Sequence, residues 1–433
     1  MQRNNVCMTA RSEMLGKIGR LQCLHSIPVI AGESVAVEAD VVTRLAGLRK
    51  YAVMTPQVDI FGFFTPYRHV DSEWPNFLLA GTDELTTFGT HDLGTAEETE
   101  CLGIGTATGT VSKFYPITYI QTWNEYFRDP TTITDILPDD WFVDGASVEA
   151  LSADRVFGKA CCHLPEYWNT GVNENQVNDT DKRFALVDTD KIDVLLLAET
   201  KARYESEIRK DWESTRYRDF LKRVYGGRAT IDADQRPELV YHNKFDLGAY
   251  DIDATDTASL GEYKGKSGGV AEINMPMKFM REHGLLNFYV LVRFKTLHTD
   301  LKQYLAFANS GEYDYDEIAG DPVITANKAP VDIVPNDLFT GAPGTTDIGK
   351  QPYGWWYRHL PDLVHSGFKS QPGFPYYEYQ IVSHNRAKYI NDQFYDSIFN
   401  DSSLKHWQTH SNITVNKMSP IPTGEASIYA GTR

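Results

Sequence analysis

The chain has 433 residues, 42% of them hydrophobic and 23% charged, which excludes a disordered tail or a small module and allows one large domain with long insertions. Its formal net charge of −17 excludes general binding of nucleic acid across the surface, because affinity for a polyanion comes from Lys and Arg displacing counterions. Any contact with DNA must be local or made through a basic partner. Aromatic residues reach 12%, as a large β-rich core or extensive interfaces would require.

In chain order, the first fifteen residues carry no apolar pattern and are expected to form a flexible arm. Glu33–Val42 is a weak strand candidate. In Val58–Thr65 the apolar residues fall on both alternating sides, as expected of a strand buried on both faces. Pro116–Asp129 places Ile120, Trp123, Tyr126 and Phe127 at helical spacing. A second helix is predicted from about Asp188 to Val224, ending at Gly226-Gly227. Leu286–Leu297 is rich in β-branched and aromatic residues and reads as a strand. Glu378–His384 is another weak candidate, and His410–Met418 alternates as a half-exposed strand does. Strands at both ends and near position 290 predict a mainly β chain built on one antiparallel β-barrel, with insertions of about 72–285 and 298–377.

The five cysteines include the vicinal pair Cys161-Cys162 and form no regular framework, so reduced thiols are expected. No apolar run approaches the roughly 20 residues needed to cross a bilayer, and no signal-peptide pattern opens the sequence. The expectation is a protein made and folded in the cytoplasm.

Few motifs carry chemistry. Gly103–Gly109 is glycine-rich, but its spacing is wrong for a phosphate loop and no Lys-Ser/Thr pair follows, so a flexible surface loop is expected. Asp251, Asp253 and Asp256 offer hard oxygen ligands that can hold Ca²⁺; the competing reading is a solvated acidic turn. Lys201–Arg228 holds nine Lys or Arg against five Asp or Glu, interleaved with Tyr204, Trp212, Tyr217, Phe220 and Tyr225. Arg209, Arg216, Arg218, Lys222, Arg223 and Arg228 are therefore the candidates for phosphate contact, against the alternative of a salt-bridged helix face. No catalytic constellation is found, and an enzyme is not expected.

The residues also carry a resemblance. Ile18-Gly19-Arg20-Leu21, Pro28-Val29-Ile30-Ala31-Gly32-Glu33-Ser34, Pro66-Tyr67-Arg68-His69-Val70 and Cys161-Cys162-His163-Leu164 resemble the major capsid (F-type) proteins of phiX-like microviruses. So do Arg216-Tyr217-Arg218-Asp219, Glu282-His283-Gly284, Leu291-Val292-Arg293-Phe294, Ile318-Ala319-Gly320-Asp321-Pro322-Val323 and Gly373-Phe374-Pro375, in the same order along the chain. The chain departs from the pattern in its first fifteen residues and near 82–115 and 340–352.

The resemblance implies an eight-stranded antiparallel jelly roll with large surface insertions. It also implies a structural protein that forms pentamers and a T = 1 icosahedral shell around circular single-stranded DNA, located in the virion after assembly in the host cytoplasm. The implied partners are a spike protein, internal and external scaffolding proteins, a DNA pilot protein and a small basic DNA-binding protein. A host cell-surface saccharide is a further implied ligand, and no cofactor is required beyond the calcium weighed above. The competing reading is a jelly-roll carbohydrate-binding protein outside any virus, which would stay small in solution.

Overall fold

A computed structural model describes residues 4–48, 55–71, 74–75, 77, 90–93, 96–105, 109–128, 161, 236–250, 266–294, 331–333, 349–351, 360, 363, 399 and 405–419. The strands are β1 (Asn4–Gly16), β2 (Gln22–Val29), β3 (Ser34–Leu45), β4 (Pro56–Pro66), β5 (Thr90–Leu93), β6 (Gly109–Ser112), β7 (Glu238–Asp246) and β8 (Gly248–Tyr250). They continue with β9 (Lys266–Phe279), β10 (Gly284–Phe294), β11 (Val331–Ile333), β12 (Gly349–Gln351) and β13 (Trp407–Ser419). Helices span Tyr67–Val70, Ala96–Leu102 and Phe114–Tyr126.

Two antiparallel sheets dominate. One has the order β1-β13-β3-β9-β8 and the other β2-β10-β4-β7. They stack through a shared core. Val37, Ala39, Val41, Ile273, Met275, Ile413 and Val415 point inward from the first sheet, and Val58, Ile60, Leu286, Phe288, Val290 and Val292 meet them from the second. Each such side chain contributes about 1.5–3 kcal/mol when fully buried.

The alternation in sequence follows from this stacking. β3 and β13 bury every second residue because only one of their faces is covered. β4 and β10 are buried on both faces, because the Phe114–Tyr126 helix packs on the far side of the second sheet. There Phe63, Tyr289 and Leu291 meet Tyr119, Ile120, Trp123 and Phe127 in a second apolar cluster. The chain is therefore layered sheet on sheet on helix.

Three expectations need correction and one is refined. The first fifteen residues do not form a free arm: Asn4–Gly16 pairs with β13 over its whole length, held by backbone pairing rather than by an apolar face. The segment 72–285 is not one insertion between strands, since β7 and β9 within it are members of the two main sheets. The sheets do not close into a barrel. At the β7–β9 seam the Tyr241 hydroxyl takes the place of ladder bonds, accepting the N–H of Asn274 (3.3 Å) and donating to the Glu272 carbonyl (3.4 Å). Finally, the surface loop expected at Gly103–Gly109 is pinned at its first residue, Gly103. This residue ends the Ala96–Leu102 helix at φ +65°, and a Cβ there would lie 2.4 Å from the Cys23 carbonyl oxygen.

The predicted strands at Val58–Thr65, Leu286–Leu297, His410–Met418 and Glu33–Val42 correspond to β4, β10, β13 and β3. The predicted helix at Pro116 begins two residues earlier, at Phe114, with Pro116 in the first turn, where a missing N–H leaves no bond unmade. The expected helix near 188–224 and the strand Glu378–His384 lie outside the described residues.

Candidate assembly surfaces

The outer face of the five-stranded sheet is built by register. Leu15, Gln408, Arg44 and Gly268 form one cross-strand row; Glu13, His410, Val42 and Val270 form the next. Arg11, Asn412, Asp40 and Glu272 follow, then Thr9, Thr414, Glu38 and Asn274. Val270 is 66% exposed on this face. Glu38, Asp40 and Glu272 lie close together, with Asp40 and Glu272 directly opposed, so the centre of the face is acidic. Arg11 and Arg44 flank it. At the Leu15 end, a cleft of about 580 Å³ is lined by Arg44, Leu45, Ser267, Gly268, Lys405 and Trp407. Lys405 is ion-paired to Glu100 at its rim.

The edge of this sheet is β1. Residues Cys7 to Arg11 are all exposed, including Met8 at 42% on the side that should face the core. Among the described residues no strand pairs with the other edge of β1.

The helix side of the second sheet has different chemistry. Asp59 on β4 is completely buried and pairs with Arg293 of β10 at 2.5 Å. His242 of β7 donates from Nε2 to Asp59 Oδ1 at 3.3 Å, and its ring stacks on Phe61 with centroids 4.6 Å apart. Burial pushes the Asp59 carboxyl up, but the His242 hydrogen bond and the Arg293 and Lys244 charges outweigh burial and leave it below its ordinary value. Phe127 packs edge-on against Phe61, and Arg236 lies over the Tyr126 ring at 5.5 Å. Cations beside accessible rings are the groups that hold a phosphate chain and stack on its bases. Here, however, the Asp59 carboxylate already engages Arg293 and the His242 ring.

Arg209, Arg216, Arg218, Lys222, Arg223 and Arg228 lie outside the described residues, as do Asp251, Asp253 and Asp256. Of the vicinal cysteines only Cys161 is described; it is buried, and its N–H donates to the Gly19 carbonyl at 2.8 Å. Cys7, Cys23, Cys101 and Cys161 take part in no disulfide. Among the described residues no group of three or more His, Cys, Asp or Glu is arranged to hold a metal ion. No helix among them is long and apolar enough to cross a membrane. Sequence reading missed the Asp59–Arg293 pair. Its signal was a lone acid in one mostly apolar strand and a lone base in another.

Comparison with known proteins gives a consistent result over nearly the whole chain. The family described as "Capsid protein (F protein)" matches residues 1–178 and 184–429. Capsid protein F of Enterobacteria phage phiK is 30% identical over 425 residues, covering 95% of this chain and 94% of the relative. Capsid protein F of Escherichia phage G4 is 29% identical over 422 residues, and that of Escherichia phage alpha3 is 28% identical over 420, both with the same coverage.

Proposed function

Because the chain belongs to the F-type capsid proteins, which are structural proteins rather than enzymes, we propose that it builds a T = 1 icosahedral shell from pentamers around circular single-stranded DNA. The observation that carries this reading is the end-to-end family match, including the segments that form both sheets.

The wiring of the long strands supports the finer fold assignment. Numbered by order along the chain, β1, β2, β3, β4, β7, β9, β10 and β13 fall into sheets 1-8-3-6 and 2-7-4-5. That alternation is the connectivity of a jelly roll, the scaffold used by many viral shells. Lectins share the scaffold, but no observation favours a carbohydrate-binding protein here.

Shell formation from such subunits works by many modest contacts made cooperative by closed symmetry. The net charge of −17 argues that the genome is neutralised by a separate polycation. The small basic DNA-binding protein fills that role, and a spike protein, two scaffolding proteins and a DNA pilot protein complete the proposed partners. Arg209 to Arg228 remain the proposed DNA contacts from the sequence, and Asp251, Asp253 and Asp256 a proposed Ca²⁺ site, which titration calorimetry with and without chelator tests. A surface saccharide of the host is a proposed ligand. Assembly is proposed to occur in the host cytoplasm and to end in the virion. Co-expression with the neighbouring phage genes, followed by gradient sedimentation, tests the function. Fast-sedimenting particles containing this chain support it, and a chain that stays monomeric with its partners present overturns it.

A further inference from the structure

An unpaired strand edge invites pairing with another chain, and proteins normally blunt it with proline, charge, a bulge or brevity. Among the described residues, three of the four edge strands of the two main sheets follow that rule. β2 contains Pro28 and a register break opposite Phe288/Tyr289. β7 carries exposed Glu238, Lys244 and Asp246 and a break opposite Gly62/Phe63. β8 is three residues long.

β1 has no proline, no bulge and no brevity, and only two charges. It runs 13 residues without Pro or Lys, and its register with β13 is unbroken. Its only charges are Arg11 and Glu13. Glu13 meets His410 at 3.3 Å and is 73% exposed; Arg11 has no ion-pair partner among the described residues. In a chain that must assemble, such an edge is the natural place for a second copy.

Symmetry narrows the geometry. A two-fold axis perpendicular to the sheet keeps each side chain on its own face, and directly opposed residues share a face. The numbers of paired residues therefore sum to an even value, and the axis passes through one residue of β1. Centring on Arg11 or Glu13 sets like charges opposite each other. Centring on Ala10 leaves Arg11 against Thr9 and Glu13 against Cys7. Centring on Ser12 sets Arg11 against Glu13 of the second copy, twice over, with Ala10 against Met14 and Thr9 against Leu15. Opposite charges directly across a strand pair are favourable and like charges unfavourable.

We propose that β1 pairs antiparallel with β1 of a second copy of this chain across a two-fold axis at Ser12, joining two five-stranded sheets edge to edge. The proposal rests on the shell reading and assigns one of its two-fold contacts.

The test is cysteine cross-linking in assembled particles. At the axis the two Ser12 Cα atoms would lie about 4.5–5.5 Å apart, within reach of a disulfide. The full-length chain carrying Ser12→Cys on a Cys7→Ser background is co-expressed with the neighbouring phage genes, and purified particles are mildly oxidised. A dimer on a non-reducing gel, absent from particles with Cys7→Ser alone, is the expected result. Closed shells whose chains stay monomeric on that gel overturn the pairing and leave the shell reading intact. A charge exchange gives an independent readout. Arg11→Glu and Glu13→Arg each cause loss of particles, and the double exchange restores them. Failure of the double exchange to restore particles, when circular dichroism shows all three variants folded, also overturns the pairing.

Discussion

Asp59 of β4 and Arg293 of β10 are diagonal cross-strand neighbours joined by a 2.5 Å ion pair, with the carboxylate fully buried between the second sheet and the layer outside it. Both strands are otherwise nearly all apolar, so each charge depends on the other. Removing Asp59 leaves Arg293 largely buried without its partner, and removing Arg293 leaves the carboxylate only the His242 hydrogen bond and the Lys244 charge; breaking a buried pair costs up to about 3–5 kcal/mol. Asp59→Asn and Arg293→Met should each lower the unfolding free energy of the isolated chain, read from urea denaturation, by an amount up to that range. Replacing both together should cost less than the sum, as a double-mutant cycle would show.

The same pair sets an acid limit. The folded carboxyl of Asp59 lies below its ordinary value, so it contributes stability above the unfolded pKa of about 3.9 and loses it as pH falls through the lower folded value. Denaturation midpoints should therefore fall as the pH drops below about 4, and Asp59→Asn should flatten that part of the profile.

Gly103 provides a test of the helix stop. Its φ of +65°, and the clash that a Cβ there would make with the Cys23 carbonyl oxygen, leave no place for a side chain. Gly103→Ala should lower stability by more than the ~1 kcal/mol of a conformational penalty alone, because backbone must also shift. Thermal melts of the two proteins, read beside the unchanged fold of the remainder, check this.

Trp123 is fully buried between helix and sheet, and its indole N–H has no hydrogen-bond partner. Truncation to Ala should cost about 3–5 kcal/mol. Trp123→Phe, which keeps most of the ring volume and removes the unpaired donor, should cost distinctly less. Chemical denaturation of both variants decides the matter.

Thiol reactivity should divide sharply. Burial pushes the Cys23 thiol up to about 12, whereas Cys7 is exposed on β1. Maleimide at neutral pH should modify Cys7 and spare Cys23, Cys101 and Cys161 in the folded chain, as peptide mass spectrometry would report.

The strands that were legible in the sequence are those whose burial leaves a pattern. β4 and β10 are apolar on both faces because a sheet covers one side and a helix the other, and β13 alternates because only one side is covered. β1 was illegible for the opposite reason. Its residues are mostly exposed on both sides, so Asn4–Gly16 has no apolar period to read and is held by its ladder to β13. β9 was hidden by Gly268, Gly269 and Pro276, which locally read as turn signals. Tyr241 and Asn243, which bridge the β7–β9 seam, act through contacts to backbone atoms of Glu272 and Asn274 that no sequence spacing encodes. The candidate DNA and calcium residues rested on local composition alone, and local composition does not place a side chain on an inner or outer surface.

The most direct measurement of the central claim is electron microscopy of particles made by this chain with its neighbouring phage genes. The account predicts closed icosahedral shells with five-fold vertices and one copy of the β-sandwich per asymmetric unit. Monomers or open aggregates in place of closed shells, with all partners present, would contradict it.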